Sequence, residues 1–363
     1  MPIGPPDPQC RFSDPFDPLW LIPYNRHQVV YNPFMSAIEH AVGAVQKAAG
    51  IFPEFPRGLL ILRGSDRVRF LHNLVTHDIK GLQAGQARPA CLLDRHGKIL
   101  ASFLVLADTD ELILEMDPAH LGTAQKSLNQ FLISEAVEIA DATKNLRILP
   151  LHGPASADLL KSVWPGVTLP VENLTHRSGS TETGFLRIVR WDLLRQPGYH
   201  LWIAPETKEG VLQQITEKGR GIGLAVAGPE AFDILRIESG VPWPGAEIDE
   251  TVILNELGIE EMVSFTKGCY IGQEIVARIK YRAHPPRQLT GFSFDSPVLP
   301  PLRSPVLLKS KAVGVITSAC FSPTLKRGIG LGFLNYGLQE RAFQVQTPRG
   351  TLQATLTTLP FVP

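Results

Sequence analysis

The residues with the most chemical content lie in one stretch, Phe265-Thr-Lys267-Gly268-Cys269-Tyr270-Ile271-Gly272-Gln273-Glu274-Ile275-Val276-Ala277-Arg278. Ile271, Ile275, Val276 and Ile279 recur at helical spacing, which predicts a helix beginning near Gly272 with Cys269 at or just before its first turn. Free N–H groups and the positive end of the helix dipole favour a thiolate there, and the thiolate is the nucleophilic form of cysteine. Lys267 adds positive charge two residues back, and Gly268 and Gly272 let the backbone approach a ligand or partner closely. Cys269 is therefore a reactive-thiol candidate. The alternative is an inert cysteine buried in a tight turn. Gln273 and Glu274 either cap or brace the Cys269 turn or touch a ligand. Arg278, five residues after Gln273, does not share its face closely.

Other chemistries find little support. The only Gly-Lys pair, Gly97-Lys98, has Leu92 where a phosphate-binding loop needs its first glycine. Gly219, Gly221 and Gly223 lack the third glycine register of a dinucleotide loop, and no G-x-S-x-G or H-E-x-x-H string occurs. Glu247, Asp249, Glu250 and Glu256 are either a metal site or a solvated loop, the second being the expectation. Cys10, Cys91, Cys269 and Cys320 form no C-x-x-C pair, so neither a zinc knuckle nor a self-contained four-cysteine cluster is expected.

The elements that must position these residues follow from periodicity. Gly58–Arg63 reads as a strand, and Arg67 onward as a helix with Ser65 or Asp66 at its N-cap. The segment 90–106 reads as two strands joined by a turn at Asp94-Arg95-His96-Gly97. Leu112–Met116 is a further strand, and a helix over His120–Leu132 follows Asp117-Pro118. Residues 146–224 read β, α, β, β, α. From residue 288 short strands with frequent Gly and Pro predict a small β-barrel. Eight of the 31 prolines fall in residues 1–33, so 1–35 is expected to be an extended arm, whose aromatic residues could dock it on the body.

The chain has 363 residues, too many for one core, and its 44% hydrophobic and 19% charged residues are globular in type. Lys+Arg and Asp+Glu are both 35, so bulk charge gives no support for direct nucleic-acid binding. The apolar run Ile99–Ala107 is far too short to span a bilayer, and the N-terminus has no basic start before an apolar block. A cytoplasmic location without membrane partners is expected.

The string Lys267–Glu274 resembles the K-G-C-[FY]-x-G-Q-E signature of the YgfZ family, within the folate-binding superfamily of the glycine-cleavage aminomethyltransferase, GcvT. Further likeness lies in Leu235-Arg236-Ile237-Glu238-Ser239-Gly240-Val241-Pro242. It is also seen in Gly64-x-Asp66 with Phe70-Leu71 and Thr76-His77-Asp78, and in Gly314-Val-Ile-Thr317-Ser318 with Ser322-Pro323. The resemblance covers about residues 50–345. It implies an α+β, three-domain arrangement around a central folate hole with a C-terminal barrel. The domains would be 36–145 and 225–287, interleaved with 146–224, followed by 288–363.

The same resemblance implies a folate site and places departures in it. Where the aminomethyltransferase carries L-N-x-x-G-G-x-x-D-D-L, this chain has Leu93 to Phe103, with Ala101 and Ser102 at the aspartate positions. Its G-E-D-G segment falls on Arg195-Gln196-Pro197-Gly198. A hydroxyl cannot act as a carboxylate at neutral pH, and Gln196 lacks the charge-assisted hydrogen bond of glutamate. Both departures argue against glycine-cleavage chemistry. The folate contacts expected are Arg236, Gln196 and Ser102, Arg236 taking the anionic tail unless it pairs with Glu238 or another internal acid. The resemblance implies an accessory protein more than a conventional enzyme, binding tetrahydrofolate or a derivative. It would assist iron–sulfur cluster assembly or repair, including for tRNA-modifying enzymes, with Cys269 as working thiol. Its partners would be iron–sulfur enzymes or assembly proteins, and it would hold no stable metal or cluster. The alternative is a tetrahydrofolate-dependent aminomethyltransferase or other one-carbon transferase.

Overall fold

The structure, a computed structural model, describes residues 33–296, 298–348 and 350–362; the expectation of an extended, docked arm over 1–35 falls outside them except at 33–35, which are helical. The chain opens with α1 (Pro33–Lys47), β1 (Gly50–Ile51), β2 (Gly58–Arg63), α2 (Arg67–Leu74), β3 (Ala87–Leu93), β4 (Ile99–Ala107) and β5 (Glu111–Met116). Next come α3 (Pro118–Gln130), β6 (Glu138–Asp141), β7 (Arg147–His152), α4 (Ser156–Val163), β8 (Thr175–Thr181), β9 (Gly184–Arg190), β10 (Gly198–Ile203) and α5 (Lys208–Gly219). Then β11 (Ala225–Val226), α6 (Pro229–Glu238) and α7 (Gln273–Arg282) precede β12 (Arg287–Phe294), β13 (Pro305–Leu308), β14 (Lys311–Ser322), β15 (Arg327–Asn335), β16 (Ala342–Thr347) and β17 (Gly350–Thr357).

The strands form three sheets. One is antiparallel with order β3-β4-β5-β2-β6. The second has order β11-β1-β7-β10-β9-β8, so residues 50–51 and 225–226 join a sheet otherwise built from 147–203. The third is a closed barrel, β12-β15-β14-β13-β16-β17, which leaves no strand edge. This is the α+β architecture with a C-terminal barrel that the sequence predicts. The β3–β4 hairpin turns at Asp94–Gly97, and Gly97 takes the positive φ (+76°) that the turn demands. Asp66 occupies the N-cap of α2 without a side-chain cap bond; its carboxylate instead accepts from Ala136 N at 2.9 Å. A sequence pattern shows a cap candidate but not a remote backbone competing for it.

The two open sheets pack face to face. Alternation along β4 and β5 sends Ala101, Phe103, Val105, Leu112 and Leu114 into one core under α2 and α3. The opposite face carries Ser102, Leu104, Leu106, Ile113 and Glu115. Leu104, Leu106 and Ile113 meet Ile148, Val189 and Trp202 of the second sheet. Each fully buried Leu or Ile there stabilises the fold by about 1.5–3 kcal/mol. One end of this seam is closed by the Arg187–Asp108 ion pair and by the His176 ring bonded to Ala107 O at 2.9 Å. The other end is polar and aromatic.

Candidate functional site

At that other end the loop before β2 delivers Phe55 and Arg57, β5 delivers Glu115, and β10 delivers His200. Arg57 Nε donates to Glu115 Oε1 at 3.1 Å, and His200 Nδ1 stands 3.5 Å from the same oxygen, too far for a good hydrogen bond. Glu115 and His200 have no solvent exposure. Burial alone pushes the Glu115 carboxyl up; the histidine and guanidinium outweigh it and hold the group below its ordinary range. Aromatic rings surround the pair. Trp191 and Phe55 lie 5.0 and 5.7 Å from the His200 ring, and Phe232 and Trp243 pack on Phe55 at 5.0 and 6.0 Å. The Arg57 guanidinium lies 5.4 and 5.5 Å from the Phe55 and Trp243 ring centres.

Hydrogen-bonding atoms without partners gather here. Glu115 Oε2, Arg57 Nη1 and both ring nitrogens of His200 and His152 are all buried and unpartnered. The His152 ring lies 5.6 Å from that of His200, and burial holds it well below its ordinary pKa, hence neutral. Gly198 makes room for it: a Cβ there would sit 2.4 Å from the His152 ring. Each such orphan costs about 1–3 kcal/mol, so their concentration at one place suits a flat ligand carrying donors and acceptors on its edge.

Of the expected folate contacts, Ser102 lies on the same sheet face as Glu115, one strand away. Ser102 shares the inner face of β4, its N–H donating to His120 Nδ1 at 3.2 Å. Gln196 lies in the β9–β10 turn, its buried Oε1 free. Arg236 does not join Ser102. It is 4% exposed, and its three nitrogens bind Asp233 at 2.7 Å, Glu247 at 2.8 Å and Ser318 Oγ at 2.7 Å. Glu247 also accepts from Thr317 and Ser318 at 2.6 and 2.5 Å. Arg236 is thus an internal clamp between α6 and the barrel, paired to Glu247 and Asp233 rather than to Glu238. The expected solvated acidic loop is corrected as well. Glu247 is fully buried on Arg236, and Glu256 is buried against Arg287 at 3.0 Å. Among the described residues no group of three or more His, Cys, Asp or Glu could hold a metal ion.

The cysteine string lies elsewhere. Its helix α7 begins at Gln273 after Gly272 in the left-handed region. Cys269 is exposed. Lys267 directs its charge to α2. Its ammonium binds the carbonyl oxygens of His72, Val75 (2.6 Å) and His77 (3.3 Å) at the C-terminal end of α2, and burial lowers its pKa to about 8. Tyr270 is buried, its pKa pushed up to about 12 by that burial. Gly272 packs against the β3–β4 turn, whereas a Cβ on Gly268 would meet nothing within 4 Å. Glu274 and Arg278 are exposed, and neither Gln273 nor Glu274 supplies a side-chain cap to α7. A cavity of about 220 Å³ between residues 254–265, α7 and the barrel is lined by Asn255, Phe265, Lys280 and Tyr336 among others, and not by Cys269. Sequence reasoning missed Arg57, Glu115 and His200. The one available signal was a charged residue at an apolar-face position of β5.

Two face-packed sheets are thus joined to a closed six-stranded barrel, with a polar cluster of side chains and aromatic rings buried in the seam, and the match to known families gives the class as glycine-cleavage T. The chain belongs to that family: the GCVT N-terminal domain matches residues 18–267, and the glycine cleavage T-protein C-terminal barrel domain matches 287–363. It is 28% identical over 297 residues to an aminomethyltransferase of Halothermothrix orenii, covering 81% of this chain and 82% of that one. It is also 28% identical over 323 residues to an aminomethyltransferase of Thermus thermophilus, covering 88% and 89%. The crystal structure of glycine cleavage system aminomethyltransferase T from Bartonella henselae matches with a TM-score of 0.79 over 90% of this chain and 89% of that one. At 17% identity it is a likeness of fold. These relatives overturn the expectation of an iron–sulfur accessory protein, and they lend no support to iron–sulfur partners. The similarity runs through both domains to proteins named for aminomethyl transfer.

Proposed function

We propose that this protein is a tetrahydrofolate-dependent aminomethyltransferase or closely related one-carbon transferase, with its pterin seat at the polar end of the seam between the two sheets. The observation that carries this reading is the set of buried, unpartnered hydrogen-bonding atoms Glu115 Oε2, Arg57 Nη1 and the His200 nitrogens, with the Phe55 and Trp191 rings packed on His200. A reduced pterin is flat and edged with N–H donors and carbonyl and ring acceptors, so it complements such a set. In this reading a carrier-bound aminomethyl group yields its carbon to the folate, and ammonia and the free carrier thiol leave. The string Lys267–Glu274 supports a finer placement on the YgfZ-like side of the superfamily. Among the described residues no helix is long and apolar enough to cross a membrane, and we place the protein in the cytoplasm.

The test is direct. Tetrahydrofolate added to the full chain is expected to quench tryptophan fluorescence saturably, because Trp191 and Trp243 line the seam. With an aminomethyl-loaded carrier, methylenetetrahydrofolate and ammonia are expected in equal amounts. A chain that neither binds tetrahydrofolate nor releases ammonia would refute the assignment.

A further inference from the structure

We infer that Glu115, clamped by Arg57, is the carboxylate that reads the pyrimidine edge of the pterin in this chain. The inference rests on the folate reading above and deepens it. The positions at which the resemblance expects carboxylates hold Ala101, Ser102 and Gln196, so none of them brings a negative charge to the seam. Glu115 brings one from the neighbouring strand. Its cross-strand partner is Leu104, two residues along β4 from Ser102 and on the same face. Same-face positions along a strand are about 7 Å apart, within reach of a glutamate side chain. A carboxylate lost from β4 is thus restored from β5 at the same end of the seam.

The hydrogen-bonding state of Glu115 fits this task. Oε1 has Arg57 Nε on one side at 3.1 Å, and Oε2 is buried with no partner. A purely structural ion pair would satisfy both oxygens, since an unpaired buried charge is costly. The 2-amino-4-oxopyrimidine edge of a pterin presents two adjacent N–H donors, the geometry a carboxylate accepts in two-pronged fashion. Arg57 Nη1, also unpartnered, faces the need of the ring carbonyl for a donor. The held-down pKa of the carboxyl keeps it an acceptor at neutral pH. Phe55 and Trp243 are only partly buried, so the rings at the seam's edge lie where a ligand would enter.

The experiment compares two ligands on the full chain: tetrahydrofolate, and its 2-desamino-2-methyl analogue, which lacks the exocyclic donors. Wild type is expected to bind tetrahydrofolate roughly 10- to 100-fold more tightly, the worth of a hydrogen bond to a charged group. Glu115→Gln is expected to lose a similar factor for tetrahydrofolate and little for the analogue. Equal binding of both ligands by wild type overturns the inference while leaving folate binding intact. So does a folded Glu115→Gln that retains wild-type affinity. Should that variant fail to fold, judged by circular dichroism, the wild-type comparison of the two ligands still decides. Absence of tetrahydrofolate binding by wild type would instead sink the functional reading itself.

Discussion

Replacing Gly272 by alanine tests how the cysteine string is held. The glycine has φ +81°, and a Cβ there would lie 2.6 Å from Asp94 O, 3.1 Å from Leu93 Cβ and 3.2 Å from Gly97 Cα. The first of these neighbours is backbone in a tight turn and cannot step aside as a flexible side chain could. The left-handed conformation costs alanine about 1–2 kcal/mol. The forced separation of two packed backbones adds roughly 1–3 kcal/mol, as overpacking does in cores. The sum is about 2–5 kcal/mol. With a urea slope of about 3 kcal/mol per molar, the unfolding midpoint falls by roughly 1 M. Gly268→Ala is the internal control. An added Cβ there touches nothing within 4 Å, and its φ lies outside the left-handed region. It is expected to stay within about 0.5 kcal/mol of wild type. Urea titrations followed by tryptophan fluorescence measure both. A Gly272→Ala protein with the wild-type midpoint, or a Gly268→Ala protein equally damaged, would refute the argument that only the second glycine marks a close approach.

Two further expectations concern the clamps made by Lys267 and by Arg236. Lys267 releases its proton near pH 8 when folded, against 10.5 ordinarily, because burial disfavours the charge. Between those values the unfolded chain binds more protons, so this group makes stability rise with pH across that window. Lys267→Met should flatten the rise, seen by comparing urea midpoints at pH 7.5 and 9.5; an unchanged rise in the variant counts against the buried ammonium as its source. Glu247→Gln removes the charge facing Arg236 and should destabilise by about 3 kcal/mol, since breaking a buried pair strands its partner. Thermal denaturation reads this, and a loss under 1 kcal/mol would show that Asp233 and Ser318 suffice.

The elements were legible where local pattern decides them. The apolar alternation of 99–107, the Asp94–Gly97 turn and the Gly- and Pro-punctuated tail translate directly into β4, its hairpin and a barrel. Partner choice was not. Arg236 reads as a free cation beside a candidate ligand hole, yet Glu247 reaches it from eleven residues on and Ser318 from 82. The acidic run 247–256 reads as a solvated loop, yet two of its members close buried ion pairs that tie the loop to α6 and the barrel. Such contacts are set by how the sheets and barrel dock, and spacing along the chain carries no trace of them.

The same limit explains the reading of function. In the cysteine string, Lys267 caps α2, Tyr270 fills a core and Gly272 lets α7 meet the β3–β4 turn. Those conserve-or-break geometric demands select residue types as strictly as chemistry does, so a sharp motif is no proof of a reactive centre. Conversely, a carboxylate absent from β4 reads as lost activity only when that strand is taken alone. A sheet face is two-dimensional: Leu104 and Glu115 are neighbours across strands just as Ser102 and Leu104 are along one. What a seam presents to a ligand is therefore the charge of the whole face rather than of one strand. The departures at Ala101 and Ser102 bear on which strand supplies the charge, and the presence of Glu115 on that face separates this question from whether a charge is supplied at all.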